Sequence, residues 1–303
     1  MKPKKNLLFI ATSSFNLRDK NITSLIKKNK LIVKLNPTHK KLSENLIFKY
    51  AKNATHIIAG TEKYNSKTLN KLKKLKYIFR LGSGIENLNL QSLKLNKIKF
   101  QASTISLEKA VSELVIGLVL TNLRKISKHD NDMKNNKWNK IMGNLLYGKN
   151  FGIIGFGKIG KYLSKLVTPF GAKVIISDIK KIKNNKQKTL SYLLSKSDII
   201  SVNANYQSTL ILNKKNLNKL KKNCILVNTS RAELIDNNHL YKILKKRKIH
   251  SAALDVFDNE PYFGKFCKLD NVTLTPHIGS YAKEIRRLME IEAFKNIIKH
   301  LDK

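Results

Sequence analysis

Short runs of β-branched and aromatic residues alternate along the chain with longer stretches whose apolar residues recur every three or four positions. The runs predict strands, because they are brief and lie between polar turn residues: LLFIAT (7–12), LIVKLN (31–36), HIIAG (56–60), YIFRLG (77–82) and IKFQAS (98–103). After a long apolar helical stretch, AVSELVIGLVLTNLRKI (110–126), six more follow: NFGIIG (150–155), KVIISD (173–178), DIISVNA (198–204), CILVNTS (224–230), SAALDVF (251–257) and NVTLTPH (271–277). Strands separated by helix-length segments imply βαβ units and parallel sheets. Eleven strands are too many for one ordinary sheet, so two α/β domains are expected, with 110–126 joining two layers. The last stretch, YAKEIRRLMEIEAFKNIIKHL (281–301), has helical spacing and is free to return to the first domain.

Composition narrows this only a little. The longest apolar run, LVIGLVL (114–120), is seven residues, well short of the roughly 18 a membrane span needs. LLFIA near the start is shorter than a signal-peptide core and reads as a first strand. Cys224 and Cys267 are far apart and form no metal-spaced cluster, so no metal site is expected, and a reducing, cytoplasmic setting fits. The net charge of +40 invites a nucleic-acid reading, but only seven of the 60 basic residues are arginine and the lysines are dispersed from end to end. Abundant Lys, Asn and Ile together match AT-rich codon usage, and a nucleic-acid partner is not expected. The basic patch KKIKNNKQK (180–188) reads as a solvated loop.

The first chemistry-bearing motif lies in GKNFGIIGFGKIGKYLSKLV (148–167), where Gly155, Gly157 and Gly160 form GxGxxG between a strand and a helix. Alone the pattern is weak, but a second strand ends at Asp178, eighteen residues past Gly160. One glycine serves the tight turn, one lets backbone approach a pyrophosphate, and one allows close helix–sheet packing. Lys158 and Ile159 open the helix whose N-terminus offers free N–H groups to phosphate. Asp178 would accept from ribose hydroxyls and repel a 2′-phosphate, which favours NAD over NADP.

Three further strand ends carry unusual polar residues: NTSRAE with Thr229 and Arg231, LDVFDNEP with Asp255 and Glu260, and TPHIGS with His277. Ligands of parallel sheets sit beyond the C-terminal ends of the strands, so these groups share the nucleotide's crevice. A 2-oxo acid reduced by NADH needs a planar cation on its carboxylate and carbonyl, which arginine supplies. It also needs a proton donor near neutrality, which histidine supplies, and a carboxylate to orient the imidazole and favour its charged form.

Taken together, IIAGTEKYNSKTL, RLGSGIENLNL, GIIGFGKIG, NTSRAELID, LDVFDNEPY and LTPHIGSYAKE resemble the D-isomer-specific 2-hydroxyacid dehydrogenase family, in its phosphoglycerate-dehydrogenase-like branch, over nearly the whole chain. The resemblance implies two doubly wound parallel-sheet domains: a Rossmann NAD-binding domain (99–280) inserted into a discontinuous flavodoxin-like substrate domain (1–98 plus 281–303). It implies Arg231 as substrate ligand, His277 as general acid/base, Glu260 as its partner, and Asp255 near the nicotinamide carboxamide. Lys158, Ile159 and Thr229 join the glycines and Asp178 as cofactor-binding residues. The backbone N–H groups of Ser83, Gly84 and Ile85 would grip the substrate carboxylate, and a homodimer is expected, with 110–126 as a contributor.

The chain departs from the family pattern at three places. STISLEKAVSE stands where a PGxN-like stretch is usual, Asn203-Ala204-Asn205 replaces His-x-Pro, and Arg231-Ala232 replaces Arg-Gly. Substrate identity stays open between 3-phosphoglycerate/phosphohydroxypyruvate and a glycerate, hydroxypyruvate or glyoxylate type. For a phosphate, GTEKYN offers Lys63 beside Glu62, with Arg80 the other candidate. A non-catalytic NAD(H)-sensing protein on the same fold is the reading from another class.

Overall fold

The computed structural model describes residues 6–182, 186–205 and 209–301. The chain divides into two compact units, Met1–Ser106 with Lys283–Lys303, and Leu107–Ala282.

The first unit is built on five parallel strands, β1 (Leu7–Ile10), β2 (Ile32–Leu35), β3 (His56–Ala59), β4 (Tyr77–Arg80) and β5 (Lys99–Ala102), in the order β2-β1-β3-β4-β5. That is the flavodoxin-like order. Leu8, Ile57, Ile58, Ile78 and Phe79 are fully or almost fully buried, as strands covered on both faces require. Because β5 pairs with β4 from Tyr77↔Lys99 to Arg80↔Ala102, the first unit extends past the expected boundary at 98 and reaches Ser106.

The helix Lys283–Lys299 belongs to this unit. Phe294 packs on Phe15 with ring centroids 5.7 Å apart, Glu290 accepts the Asn16 N–H at 3.2 Å, and Arg287 pairs with Asp19 at 2.6 Å. The imidazole of His56 bonds the carbonyl of His300 at 2.9 Å, pinning the helix end beside β3.

The second unit has six parallel strands: β6 (Asn150–Ile154), β7 (Lys173–Ser177), β8 (Ile199–Val202), β9 (Ile225–Asn228), β10 (Ser251–Leu254) and β11 (Val272–Leu274). Their order is β11-β10-β9-β8-β6-β7. Beyond β7 a single parallel bridge, Ile176↔Gln187, stands where the dinucleotide-binding fold has its third strand. The Ile176 N–H donates to Lys186 O at 2.9 Å and Lys188 N–H to Ile176 O at 2.8 Å. The basic 180–188 patch is tied to the sheet at Gln187, its described lysines are exposed, and residues 183–185 lie outside the described residues.

The long apolar helix runs Glu108–Arg124 and lies wholly within the second unit, with Val115, Leu118 and Val119 in its core. It ends because Lys125 is left-handed, with φ of 56°, and a new helix, Ile126–Lys134, begins there. Among the described residues no helix is long and apolar enough to cross a membrane.

All eleven predicted strands form, each shorter than its apolar run. In the second unit the missing ends are TS after β9, DVF after β10 and TPH after β11. These residues leave the sheet to build the chemistry described next.

Candidate active site

β6 delivers its glycine turn at the point where strand order reverses, with β7 on one side and β8 on the other. Gly155 has φ of +90°, and a Cβ there would lie 2.6 Å from the Ala204 nitrogen at the end of β8. A Cβ on Gly160 would lie 2.1 Å from Gly155 O, so the helix Lys158–Val167 approaches the turn as only glycine permits. Gly157, the N-cap of that helix, is the contrast: a Cβ there would meet nothing within 4 Å among the described residues. Space is therefore kept in front of the helix N-terminus, which Lys158 and Ile159 open.

Asp178, just past β7, accepts the Phe156 N–H on Oδ2 at 2.6 Å and the Lys180 N–H on Oδ1 at 2.8 Å. It is thereby fixed beside the glycine turn. Thr229 follows β9, and its Oγ1 is buried without a hydrogen-bond partner among the described residues. An orphaned hydroxyl costs free energy unless a ligand completes it. The open ground before Gly157, the tethered Asp178 carboxylate and the unpaired Thr229 hydroxyl fit a bound dinucleotide.

The acid–base groups sit past the next three strand ends. Arg231 follows β9, where Asn228 shapes the turn: its Oδ1 accepts the Ser230 N–H at 3.0 Å and its Nδ2 donates to Arg231 O at 2.9 Å. The guanidinium Nη1 of Arg231 donates to Ser230 O at 2.8 Å.

His277 follows β11 with φ of +55°, a strained value for a non-glycine residue. Its Nδ1 lies 2.9 Å from each carboxylate oxygen of Glu260, and the two side chains are 37% and 21% exposed. The imidazole is thus oriented through one nitrogen and leaves Nε2 for other chemistry.

What holds His277 in this conformation is Asp255. Its carboxylate accepts from Thr275 Oγ1 at 2.6 Å, from the Ile278 N–H at 2.8 Å and from the Gly279 N–H at 2.9 Å. Asp255 is fully buried, and that burial holds its carboxyl above the ordinary range against the pull of Thr275, Ile278 and His277. Asp255 lies beneath the His277 loop, because the chain of 278–279 turns back over it. Thr275 and Gly279 are positions that residue type alone does not single out, although both lie within LTPHIGSYAKE. A Cβ on Gly279 would be 3.3 Å from Asp255 Oδ2.

Ser83, Gly84 and Ile85 belong to the first unit, in the loop after β4. Gly82 opens that loop with φ of +144°, and a Cβ there would lie 2.6 Å from Arg80 Nη1. Arg80, a candidate phosphate ligand on sequence grounds, is 9% exposed and donates to Asn87 Oδ1 at 3.2 Å and Leu81 O at 2.5 Å. Glu62 is likewise buried and accepts from the Gly60 N–H and the Tyr64 hydroxyl. Asn87 donates to the carbonyls of Gly60 and Glu62, so the loops after β3 and β4 brace one another.

Residues 116–279 match the model of the D-isomer specific 2-hydroxyacid dehydrogenase, NAD binding domain. The chain is 34% identical over 256 residues to a hydroxypyruvate reductase of Thermotoga maritima, covering 81% of this chain and 84% of the relative. It is 34% identical over 256 residues to a glyoxylate reductase of Thermococcus litoralis, covering 78% and 77%. Its fold matches a crystal structure of a phosphoglycerate oxidoreductase from Vibrio cholerae O395 with a TM-score of 0.88 at 22% identity, over 97% of this chain and 98% of the other. The chain belongs to the D-isomer-specific 2-hydroxyacid dehydrogenase family. It is an oxidoreductase of that class, with NAD as its cofactor.

Proposed function

We propose that this enzyme interconverts a short, unphosphorylated D-2-hydroxy acid and its 2-oxo acid, of the glyoxylate or hydroxypyruvate type. The observation that carries the reading is the pairing of His277 with Glu260 past the end of β11. In reduction, NADH supplies the hydride and His277 the proton to the carbonyl oxygen. Glu260 orients the ring. Arg231 holds the substrate carboxylate and polarises the carbonyl. Gly155, Gly157, Lys158, Ile159 and Gly160 hold the pyrophosphate, Asp178 the adenosine ribose, and Thr229 the cofactor's remaining polar edge.

Two facts favour a small substrate over a phosphorylated one. Arg80 is committed to Asn87 and Leu81 O. The T. maritima and T. litoralis relatives are named for hydroxypyruvate and glyoxylate. Comparing kcat/KM for glyoxylate, hydroxypyruvate and phosphohydroxypyruvate tests the choice: preference for the phosphorylated acid would overturn it.

We place the enzyme in the cytoplasm, where its two free thiols, Cys224 and Cys267, stay reduced. We also propose a homodimer. Its support is a run of exposed apolar side chains after the helix Ile126–Lys134: Trp138 is 76% exposed, Met142 92% and Tyr147 75%. A monomeric mass in solution at working concentration would contradict this.

A further inference from the structure

Glu260 stands in a loop that begins and ends on aromatic rings. Phe257 and Tyr262 stack with ring centroids 4.3 Å apart and planes 12° from parallel. The Tyr262 hydroxyl accepts the Phe266 N–H at 3.1 Å, and the ring itself lies 6.2 Å from that of Phe266. Phe266 is 2% exposed and belongs to the core formed with Leu240 and Leu254. A Cβ on Gly264 would fall 2.6 Å from the Tyr262 ring, so the chain crosses closely over it. The stack thus connects the loop to rigid structure at one end, and to β10 through Phe257 at the other.

Inside this span, the Phe257 N–H donates to Glu260 Oε1 at 3.3 Å, and both Glu260 oxygens face His277 Nδ1. A glutamate that is one-fifth exposed has other rotamers in water, and ordering a side chain of this kind costs conformational entropy. The backbone on which it stands must therefore be fixed for the pair to persist.

We propose that Tyr262 is a positioning residue: by stacking on Phe257 and accepting from Phe266 it holds residues 257–262 closed and keeps Glu260 on His277. This rests on the acid–base reading of His277 and Glu260. Tyr262 touches neither substrate nor cofactor in it, and acts only through the carboxylate.

The test compares Tyr262→Leu and Tyr262→Phe with Glu260→Gln, following kcat/KM for oxo-acid reduction against pH, NADH affinity by fluorescence, and Tm. In Tyr262→Leu the alkaline limit of reduction is expected to move towards acid by about half a pH unit or more, in the same direction as in Glu260→Gln, with NADH affinity unchanged. Tyr262→Phe, which keeps the stack but loses the acceptor of the Phe266 N–H, should fall between wild type and Tyr262→Leu. Added to Glu260→Gln, Tyr262→Leu should move the limit no further, because both act through one carboxylate.

A Tyr262→Leu enzyme with lowered Tm and an unmoved alkaline limit would reduce the stack to core packing and overturn the proposal. So would a further shift in the double variant. If Tyr262→Leu fails to fold, Phe257→Leu breaks the same stack and carries the same two outcomes. An unmoved limit in Glu260→Gln itself would sink the acid–base reading, and the clamp with it, whereas a shift there without one in Tyr262→Leu would sink the clamp alone.

Discussion

His277 Nδ1 lies 2.9 Å from both oxygens of the Glu260 carboxylate. Symmetric contact of this kind fixes the ring plane and sets a carboxylate against the ring. Glu260→Gln keeps the shape and removes the charge, so the alkaline limit of kcat/KM for oxo-acid reduction should fall below that of the wild type, and an unchanged profile would separate the two residues functionally.

Arg231 offers a planar fork that a lysine cannot reproduce. Arg231→Lys should lower kcat/KM on the order of 10²-fold through both KM and kcat, since a point charge neither grips a carboxylate bidentately nor polarises the neighbouring carbonyl equally. Near-wild-type kinetics would take Arg231 out of the site.

Two glycines of one motif should fail differently. At Gly160 an added methyl would meet Gly155 O at 2.1 Å, so Gly160→Ala should displace the helix and cost about 1–3 kcal/mol of stability, seen as a lower Tm without cofactor. At Gly157 a methyl meets no atom of the described residues within 4 Å. Gly157→Ala should therefore keep its Tm but weaken NADH binding, because the methyl fills the space needed by the pyrophosphate. Equal loss of Tm in both variants would contradict this division.

Asp255 combines burial with three donors, and its role is tested by stability. Asp255→Ala leaves the Ile278 and Gly279 N–H groups unpaired, for an expected cost of about 3 kcal/mol and loss of turnover as His277 is released from its positive φ. The pH dependence carries a definite sign. Burial raises the folded-state pKa, so this group's titration contributes stability that is fully present below the unfolded value of about 3.9 and is lost as pH rises through the folded value. The wild type's urea stability relative to Asp255→Asn should accordingly decline between pH 4 and pH 7. A difference that grows over that interval would show the carboxyl to be lowered instead.

Much of this was legible in the chain, for physical reasons that can be named. Parallel strands are buried on both faces, so Leu8, Ile57 and Phe79 appear in dense apolar runs. Glycine spacing before a helix has few other uses, which made Gly155, Gly157 and Gly160 readable. Strand ends were less legible, because TPH after β11 continues an apolar-looking run while its backbone has left the sheet. The placement of Asp255 was not legible at all: its partners Ile278 and Gly279 bond through backbone N–H groups, which no residue type announces. Nor was Arg80, since an arginine before a glycine loop reads the same whether it faces a ligand or folds back onto Leu81 O.

The most direct test of the account is NADH oxidation with glyoxylate, hydroxypyruvate and phosphohydroxypyruvate, run on the wild type and His277→Ala together. The account predicts turnover with the unphosphorylated acids, reduced on the order of 10²–10⁴-fold in His277→Ala while NADH binding persists. Equal rates in the two proteins would contradict the assignment of the proton donor, and NADH binding without turnover of any of the three acids would contradict the proposed reaction.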